Sequence, residues 1–306
     1  MRTRRLGTEG PEVSVVGLGC NNFGGRIGLE ETRAVVDAAL EAGVKLFDTA
    51  DIYGNGGGSE ELLGQVLEGR RDDVVLATKF GMDMGDGTVE RGSRSYIRKA
   101  IDGSLRRLRT DHVDLYQYHR FDGITPFEET FAALDELVRE GKVRFVGHSN
   151  LEPRQVEEVD DLCRRRAFAR PVSSQNEYSL LKRGAEAELL PTCERLGLGV
   201  LPYFPLASGL LTGKYKRNAP RPEGTRLSGR GDVFTDEKFD HIEAFEHLAE
   251  DRGVQLLDVA IGGLLAQPAI ASVIAGATKP EQVYANAKAG EWEPSEDDLK
   301  ALNAIR

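Results

Sequence analysis

The chain has 306 residues, 40% of them hydrophobic and 29% charged, the balance of a folded globular protein with enough length for a sizeable core. Asp and Glu number 50 against 40 Lys and Arg, a formal net charge of −10. That argues against a nucleic-acid protein, whose surface should be basic, but leaves room for a local patch that holds an anion.

Cys20, Cys163 and Cys193 are odd in number and widely spaced, which argues against a disulfide framework and for a reducing, cytoplasmic setting. The opening MRTRRLGTEG has no apolar signal core. No apolar run reaches the roughly 18 residues that a membrane span needs, so no membrane partner is expected.

Short apolar runs alternate with amphipathic stretches. In chain order, a strand at Ser14–Leu18 precedes a helix at Glu30–Ala42, with Ala34, Val35, Ala38 and Ala39 on one face and Gly43 as its stop signal. Strands at Lys45–Asp48 and Val74–Thr78 lead to a helix at Ser93–Leu108. A strand at Val113–Gln117 is followed by a helix at Pro126–Arg139, with Thr125 as N-cap. Strands at Val143–Gly147 and Val172–Gln175 precede a helix at Gly184–Leu196. A strand at Gly199–Pro202 is followed by helices at Asp236–Asp251 and Leu256–Ala266. A last strand at Ser272–Ile274 leads into helices at Pro280–Ala289 and Ser295–Leu302, the latter capped by Ser295.

Several of these strands lack polar alternation, the pattern of a parallel sheet covered on both faces. Strands alternating with helices fit either a (β/α)8 TIM barrel or a doubly wound sheet. The length suits the barrel, and the first glycine cluster, GLGCNN at 17–22, lacks the third glycine of a dinucleotide-binding G-x-G-x-x-G. One barrel domain over residues 1–306 is predicted. Residues 216–233, after the seventh strand, have no apolar period and carry several arginines. They read as a solvated surface loop or, more sharply, as an anion-binding lid.

No H-E-x-x-H, C-x-x-C or EF-hand pattern is present, so no dedicated metal site is expected. In a barrel the chemistry gathers where strands end. The polar residues there are Asp48 and Tyr53, then Lys79, then His119, then Ser149 and Asn150, then Gln175. Singly, each has an ordinary structural explanation. Four titratable types at the same end of three successive strands change the odds.

The motifs FDTADIYG (47–54) and GSEELLG (58–64), with QNEYSLL (175–181) and FPLASGLLTGKY (204–215), make the chain resemble an aldo-keto reductase. The resemblance runs from VSVVGLGCNNFG (13–24) to GATKPEQVYAN (276–286). It implies the barrel, a nicotinamide cofactor held without a Rossmann fold, and a small aldehyde or ketone as substrate. It implies Asp48, Tyr53, Lys79 and His119 as the catalytic tetrad.

The chemistry agrees with those residue types. Hydride delivery to a carbonyl builds negative charge on oxygen, which needs a proton donor. A phenol is a weak acid, and a nearby ammonium should strengthen it. Lys79 would do so for Tyr53, Asp48 would hold Lys79, and His119 would orient the carbonyl.

The resemblance further assigns Ser149, Asn150 and Gln175 to the nicotinamide amide and Tyr203 to stacking on its ring. Cys20 and Asn21 would lie beside them. Pro205, Leu206, Ser208, Leu210, Lys214 and Arg226 would meet the pyrophosphate. Gly276, Thr278, Gln282 and Asn286 would meet the adenosine end. Asn22, Phe23, Ile52 and Phe121 are candidates for the substrate pocket.

Gln282 stands where many members have an arginine for the 2′-phosphate, and Ala285 where many have a glutamate. NADPH is therefore expected, with NADH possible. The alternative is a slow-turnover, NADPH-binding regulatory subunit, which would carry a long N-terminal extension or an apolar docking patch. Residues 1–12 are short and polar. A barrel enzyme using Lys79 as a Schiff-base amine is a third reading, opposed by the Asp48–Tyr53 pair.

Overall fold

The computed structural model describes residues 1–220, 222, 223, 227 and 233–305. Eight parallel strands form the wall of a barrel: β3 (Val16–Gly19), β4 (Leu46–Asp48), β5 (Val75–Phe80), β6 (Val113–Tyr118), β7 (Val143–Ser149), β8 (Pro171–Gln175), β9 (Gly199–Val200) and β10 (Val273–Gly276). They neighbour one another in chain order, and β10 pairs with β3. The seam between β9 and β10 is short. Val200 donates to the Ala269 carbonyl (2.7 Å) and accepts from Ala271 N (3.0 Å), which joins the two ends of the sheet.

Helices cover the outside: α1 (Leu29–Glu41), α2 (Tyr53–Val66), α3 (Arg94–Leu108), α4 (Phe127–Arg139), α5 (Pro153–Arg166), α6 (Leu189–Leu196), α7 (Asp236–Asp251), α8 (Leu256–Leu265), α9 (Pro280–Ala289) and α10 (Glu296–Ala304). None among the described residues is long and apolar enough to cross a membrane.

All eight expected strands are present, most shifted by one or two residues. The sequence reading missed an N-terminal hairpin of β1 (Thr3–Arg5) and β2 (Glu12–Ser14), and it missed α2 and α5. The helix expected at Gly184–Leu196 is a single 3-10 turn, Gly184–Glu186, followed by α6. Thr125 does not cap α4. Pro126 is the N-cap residue, and the Thr125 hydroxyl donates instead to Asp122 Oδ2 (2.7 Å). On α1, Val36 is buried and Ala34 exposed.

Strand alternation divides the core in two. Leu46, Ala77 and Leu115 point inward and join Leu6 and Val13 of the hairpin region in a small inner core. The larger cluster fills the space between wall and helices. Two residues further along each strand, on the same inward face, stand Asp48, Lys79 and Gln117. The inner apolar core thus forms the floor of the site, and the polar layer sits on it at the carboxyl ends of the strands.

Candidate active site

Lys79 is fully buried, and its Nζ donates to Asp48 Oδ2 (2.7 Å) and to the Thr49 carbonyl (2.8 Å). Asp48 Oδ1 accepts from Gln175 Nε2 (2.9 Å) and Gln117 Nε2 (3.3 Å). Gln117 in turn accepts from the Ser173 hydroxyl (3.3 Å). The carboxylate is therefore bonded on both oxygens, as a buried charge must be. Burial works against the Lys79 ammonium, but Asp48 and Tyr53 outweigh it and leave its pKa raised.

Tyr53 sits just past β4 at the start of α2, with Lys79 Nζ 5.0 Å from its ring centre. As expected, Lys79 acts to lower the pKa of this phenol, through its charge and a hydrogen bond. Burial pushes it up, and Lys79 offsets only part of that rise. The His119 ring stands edge-on to Tyr53, with centroids 5.9 Å apart. His119 Nδ1 is buried without a hydrogen-bond partner. Burial, then the charges of Lys79 and Arg120, bring His119 down to about 3, so it is a neutral imidazole at physiological pH. The structure thus gathers all four tetrad positions around one inner point of the barrel mouth.

The neighbouring strand ends are tied into the same layer. Ser149 Oγ donates to the Gln175 carbonyl (2.7 Å). Asn150, at φ +59°, donates from Nδ2 to the His119 carbonyl (3.0 Å) and to Ser149 Oγ (2.9 Å). Its Oδ1 accepts from the Tyr203 hydroxyl (2.8 Å), which anchors that ring beside the tetrad.

The segment after β9 turns sharply, with Ala207, Ser208 and Gly209 at φ of +46°, +60° and +98°. Successive peptides in such turns can aim several N–H groups at one point, a geometry that suits phosphate. Pro205 is buried and Leu206 half-buried there. Leu210 is buried in the outer core, so only its backbone can face a ligand. Lys214 is exposed, with its Nζ reaching back toward Gly209.

At the last strand, the exposed Gly276 lies against Asn21 and Asn22: a Cβ there would stand 3.6 Å from Asn21 Oδ1. Thr278 donates from its amide (2.8 Å) and hydroxyl (3.2 Å) to Gln282 Oε1, and Asn286 is buried one turn further on.

Some expected residues stand elsewhere. Phe23 is fully buried beneath the rim and offers no surface to a substrate. Asn22 is buried too, and its Nδ2 donates to the Ala277 carbonyl (3.2 Å), tying the first and last strand ends together. The Cys20 thiol is buried, and burial holds its pKa well above the ordinary value. Ile52 and Phe121 remain half-exposed at the mouth. Arg226 lies outside the described residues, as does much of the 216–233 loop. Within that loop, Lys216 bonds Glu246 (2.7 Å), and Arg217 bonds Glu243 (2.9 Å) and Asp236 (3.1 Å) of α7, so neither is a free cation.

Sequence reasoning missed Gln117, the second amide on Asp48. It also missed Arg120, an exposed cation directly after His119, the buried Asp51 and Glu60, and the half-buried Arg107. Glu60 at least was visible inside GSEELLG.

A barrel with a buried Asp–Lys pair, a tyrosine and a neutral histidine at the ends of its strands defines a carbonyl oxidoreductase. The sequence profile of the Aldo/keto reductase family matches residues 15–306. The chain is 39% identical to "Uncharacterized oxidoreductase YrpG" of Bacillus subtilis (strain 168), over 98% of this chain and 94% of that protein. It is 36% identical to "Probable voltage-gated potassium channel subunit beta" of Oryza sativa subsp. japonica, over 94% and 91%. It is 34% identical to "L-glyceraldehyde 3-phosphate reductase" of Escherichia coli (strain K12), over 94% and 87%. The chain belongs to the aldo/keto reductase family, enzymes that act on carbonyl groups of small molecules with a nicotinamide cofactor.

Proposed function

We propose that the chain reduces an aldehyde or ketone to the alcohol, with NADPH as hydride donor and Tyr53 as general acid. The observation that carries this is the Lys79 ammonium, fully buried, bonded to Asp48 at 2.7 Å and 5.0 Å from the Tyr53 ring centre.

The residues fit the cofactor. Ser149, Asn150 and Gln175 offer both amide donors and acceptors, Tyr203 supplies an anchored ring, and the left-handed turn at 207–209 suits a pyrophosphate. When bound, the nicotinamide supplies the hydride. Tyr53 gives its proton to the carbonyl oxygen as charge builds there, and Lys79 stabilises the phenolate left behind. Asp48 keeps Lys79 in place. His119, neutral, presents its imidazole to the substrate oxygen and fixes which carbonyl face meets the hydride. Thr278 and Lys279 are the donors for a 2′-phosphate. Gln282 already engages Thr278, so it must swing aside for that contact. Residues 216–233 would close over the cofactor.

The test is a paired titration with NADPH and NADH, followed by turnover of an activated aldehyde in wild type and Tyr53→Phe. Tyr53→Phe should lower turnover by about 10²- to 10⁴-fold while NADPH affinity stays within a few-fold. Equal loss of binding and turnover would make Tyr53 structural. The likeness to a channel subunit beta favours a second reading, a binding subunit of slow turnover. Tight NADPH binding with no Tyr53-dependent turnover would select it.

A further inference from the structure

Behind the tetrad, outside the barrel wall, lies a second ionic cluster that the reaction does not use directly, its carboxylates buried and its guanidinium half-buried. Glu60 of α2 is fully buried. Its Oε1 accepts from the hydroxyl of Thr78, the residue before Lys79 (2.5 Å). Its Oε2 accepts from Nε and Nη2 of Arg107 on α3 (2.7 Å each).

The stem of Arg107 runs against the turn that follows Tyr53. A Cβ at Gly57, which sits at φ +118°, would stand 2.6 Å from Arg107 Cδ. On the other side, a Cβ at Gly54 (φ +70°) would stand 2.6 Å from the Phe23 carbonyl. The turn at 54–57 is therefore gripped between Arg107 and the Phe23–Gly24 backbone, with contacts only glycine permits.

Asp51 completes the cluster. Its amide donates to the Lys79 carbonyl (3.1 Å), and its buried carboxyl, with Oδ1 unpartnered, feels Glu60, Arg107 and Lys79. Tyr116 of β6 contributes a buried hydroxyl with no partner, and Tyr96 of α3 also lies within reach of the Asp51 charge.

We propose that the Glu60–Arg107 pair, keyed to Thr78 and backed by Asp51, is the positioning device that holds the Tyr53 turn in register with Lys79. A run of glycines has no side chains to fix its own path, so the phenol's place depends on what grips the turn. A directional ion pair with its carboxylate fully buried can set such a register. The inference rests on the reductase reading, which makes Tyr53 the proton donor.

The experiment compares wild type, Arg107→Met, Arg107→Lys and the double variant Glu60→Gln/Arg107→Met. The double variant removes the Glu60 charge together with its partner and keeps the acceptor for Thr78, so it covers the case in which Arg107→Met does not fold. Single-turnover hydride transfer should fall between about 10- and 100-fold in Arg107→Met and the double variant, the scale of a misplaced reacting group. NADPH affinity should stay within about threefold, and Arg107→Lys should recover most of the rate.

The Tyr53 ionisation needs no turnover to measure. The ultraviolet difference between each protein and its Tyr53→Phe counterpart should show a pKa moved by at least about half a unit when the pair is lost. A folded double variant with wild-type hydride transfer and an unmoved Tyr53 titration would overturn the proposal. Parallel loss of NADPH affinity, rate and melting temperature, without rescue by lysine, would also overturn it, in favour of a purely structural pair. If wild type itself turns over no carbonyl compound, the reductase reading fails, and the Tyr53 titration alone still decides the positioning.

Discussion

Lys79 points into the barrel and Thr78 points out of it, so one strand serves two ionic clusters, the inner one buried and the outer one reaching partly toward solvent at Arg107. Inside, one carboxylate faces one ammonium, and every oxygen of Asp48 has a donor. Outside, Asp51 and Glu60 share the single guanidinium of Arg107. Burial, then the Glu60 charge, push Asp51 up to about 7. The balanced cluster keeps a cation fixed beside Tyr53, whereas the unbalanced one sheds its surplus charge by holding a proton. The same fold element thus supports a permanent charge on one face and a titrating group on the other.

Breaking the inner cluster should have the largest effect. Lys79→Met strands the Asp48 carboxylate, and losing one partner of a buried pair costs about 3–5 kcal/mol. Denaturant unfolding should show that loss, and carbonyl reduction should fall by more than about 100-fold because Tyr53 loses its ammonium. Its residual pH–rate profile should be displaced from that of wild type. Adding Asp48→Asn should restore much of the stability and none of the activity. Recovery of turnover in the double variant would separate the pair from catalysis.

The outer cluster makes a prediction of opposite character. Asp51 is raised in the folded state, so its contribution to stability is complete below the unfolded carboxyl range near 4. It is lost as pH rises through about 7. Wild type minus Asp51→Asn, from urea unfolding at pH 5 and pH 8, should therefore shift against wild type at the higher pH. Burial and the Glu60 charge raise it, and Arg107 and Lys79 act against them, while the neutral phenols of Tyr96 and Tyr116 face the same carboxyl. A difference that is flat between the two pH values would mean that Asp51 holds no proton in this window.

The two clusters also mark how far the sequence can be read. The strands were legible because they are buried on both faces and therefore run apolar, and the inner tetrad because chemistry-bearing residues stand at their ends. The outer cluster joins Glu60 to Arg107 across 47 residues, a pairing that only helix packing creates. α2 hides behind YGNGGG, where four consecutive left-handed residues precede any helical spacing. α5 has Pro153 in its first turn and Val156, Val159, Leu162 and Cys163 at helical spacing, but the charges between them mask the pattern. Phe23 and Asn22 follow a strand like true site residues, and only their burial separates rim packing from pocket.

A third buried ionisable group sharpens the comparison, because it has no countercharge at all. His148 follows the inward-facing Gly147 on β7, so it points out of the barrel wall, fully buried, with neither ring nitrogen partnered. Burial alone brings it down to about 4. Unlike Asp51, it favours the folded state at high pH. Its contribution is present above the unfolded histidine value of about 6.5. That contribution is lost as pH falls through about 4. His119 titrates lower still, at about 3, and stays in place in the variant. His148→Leu should leave stability at pH 7.5 within about 1.5 kcal/mol of wild type, since the swap is close in volume and removes two unpaired polar atoms. Between pH 6 and pH 4 the variant should lose less stability than wild type. An identical acid slope in the two proteins would mean that water or a local opening reaches His148 before the fold yields, and that a lone buried base is cheaper here than the geometry implies.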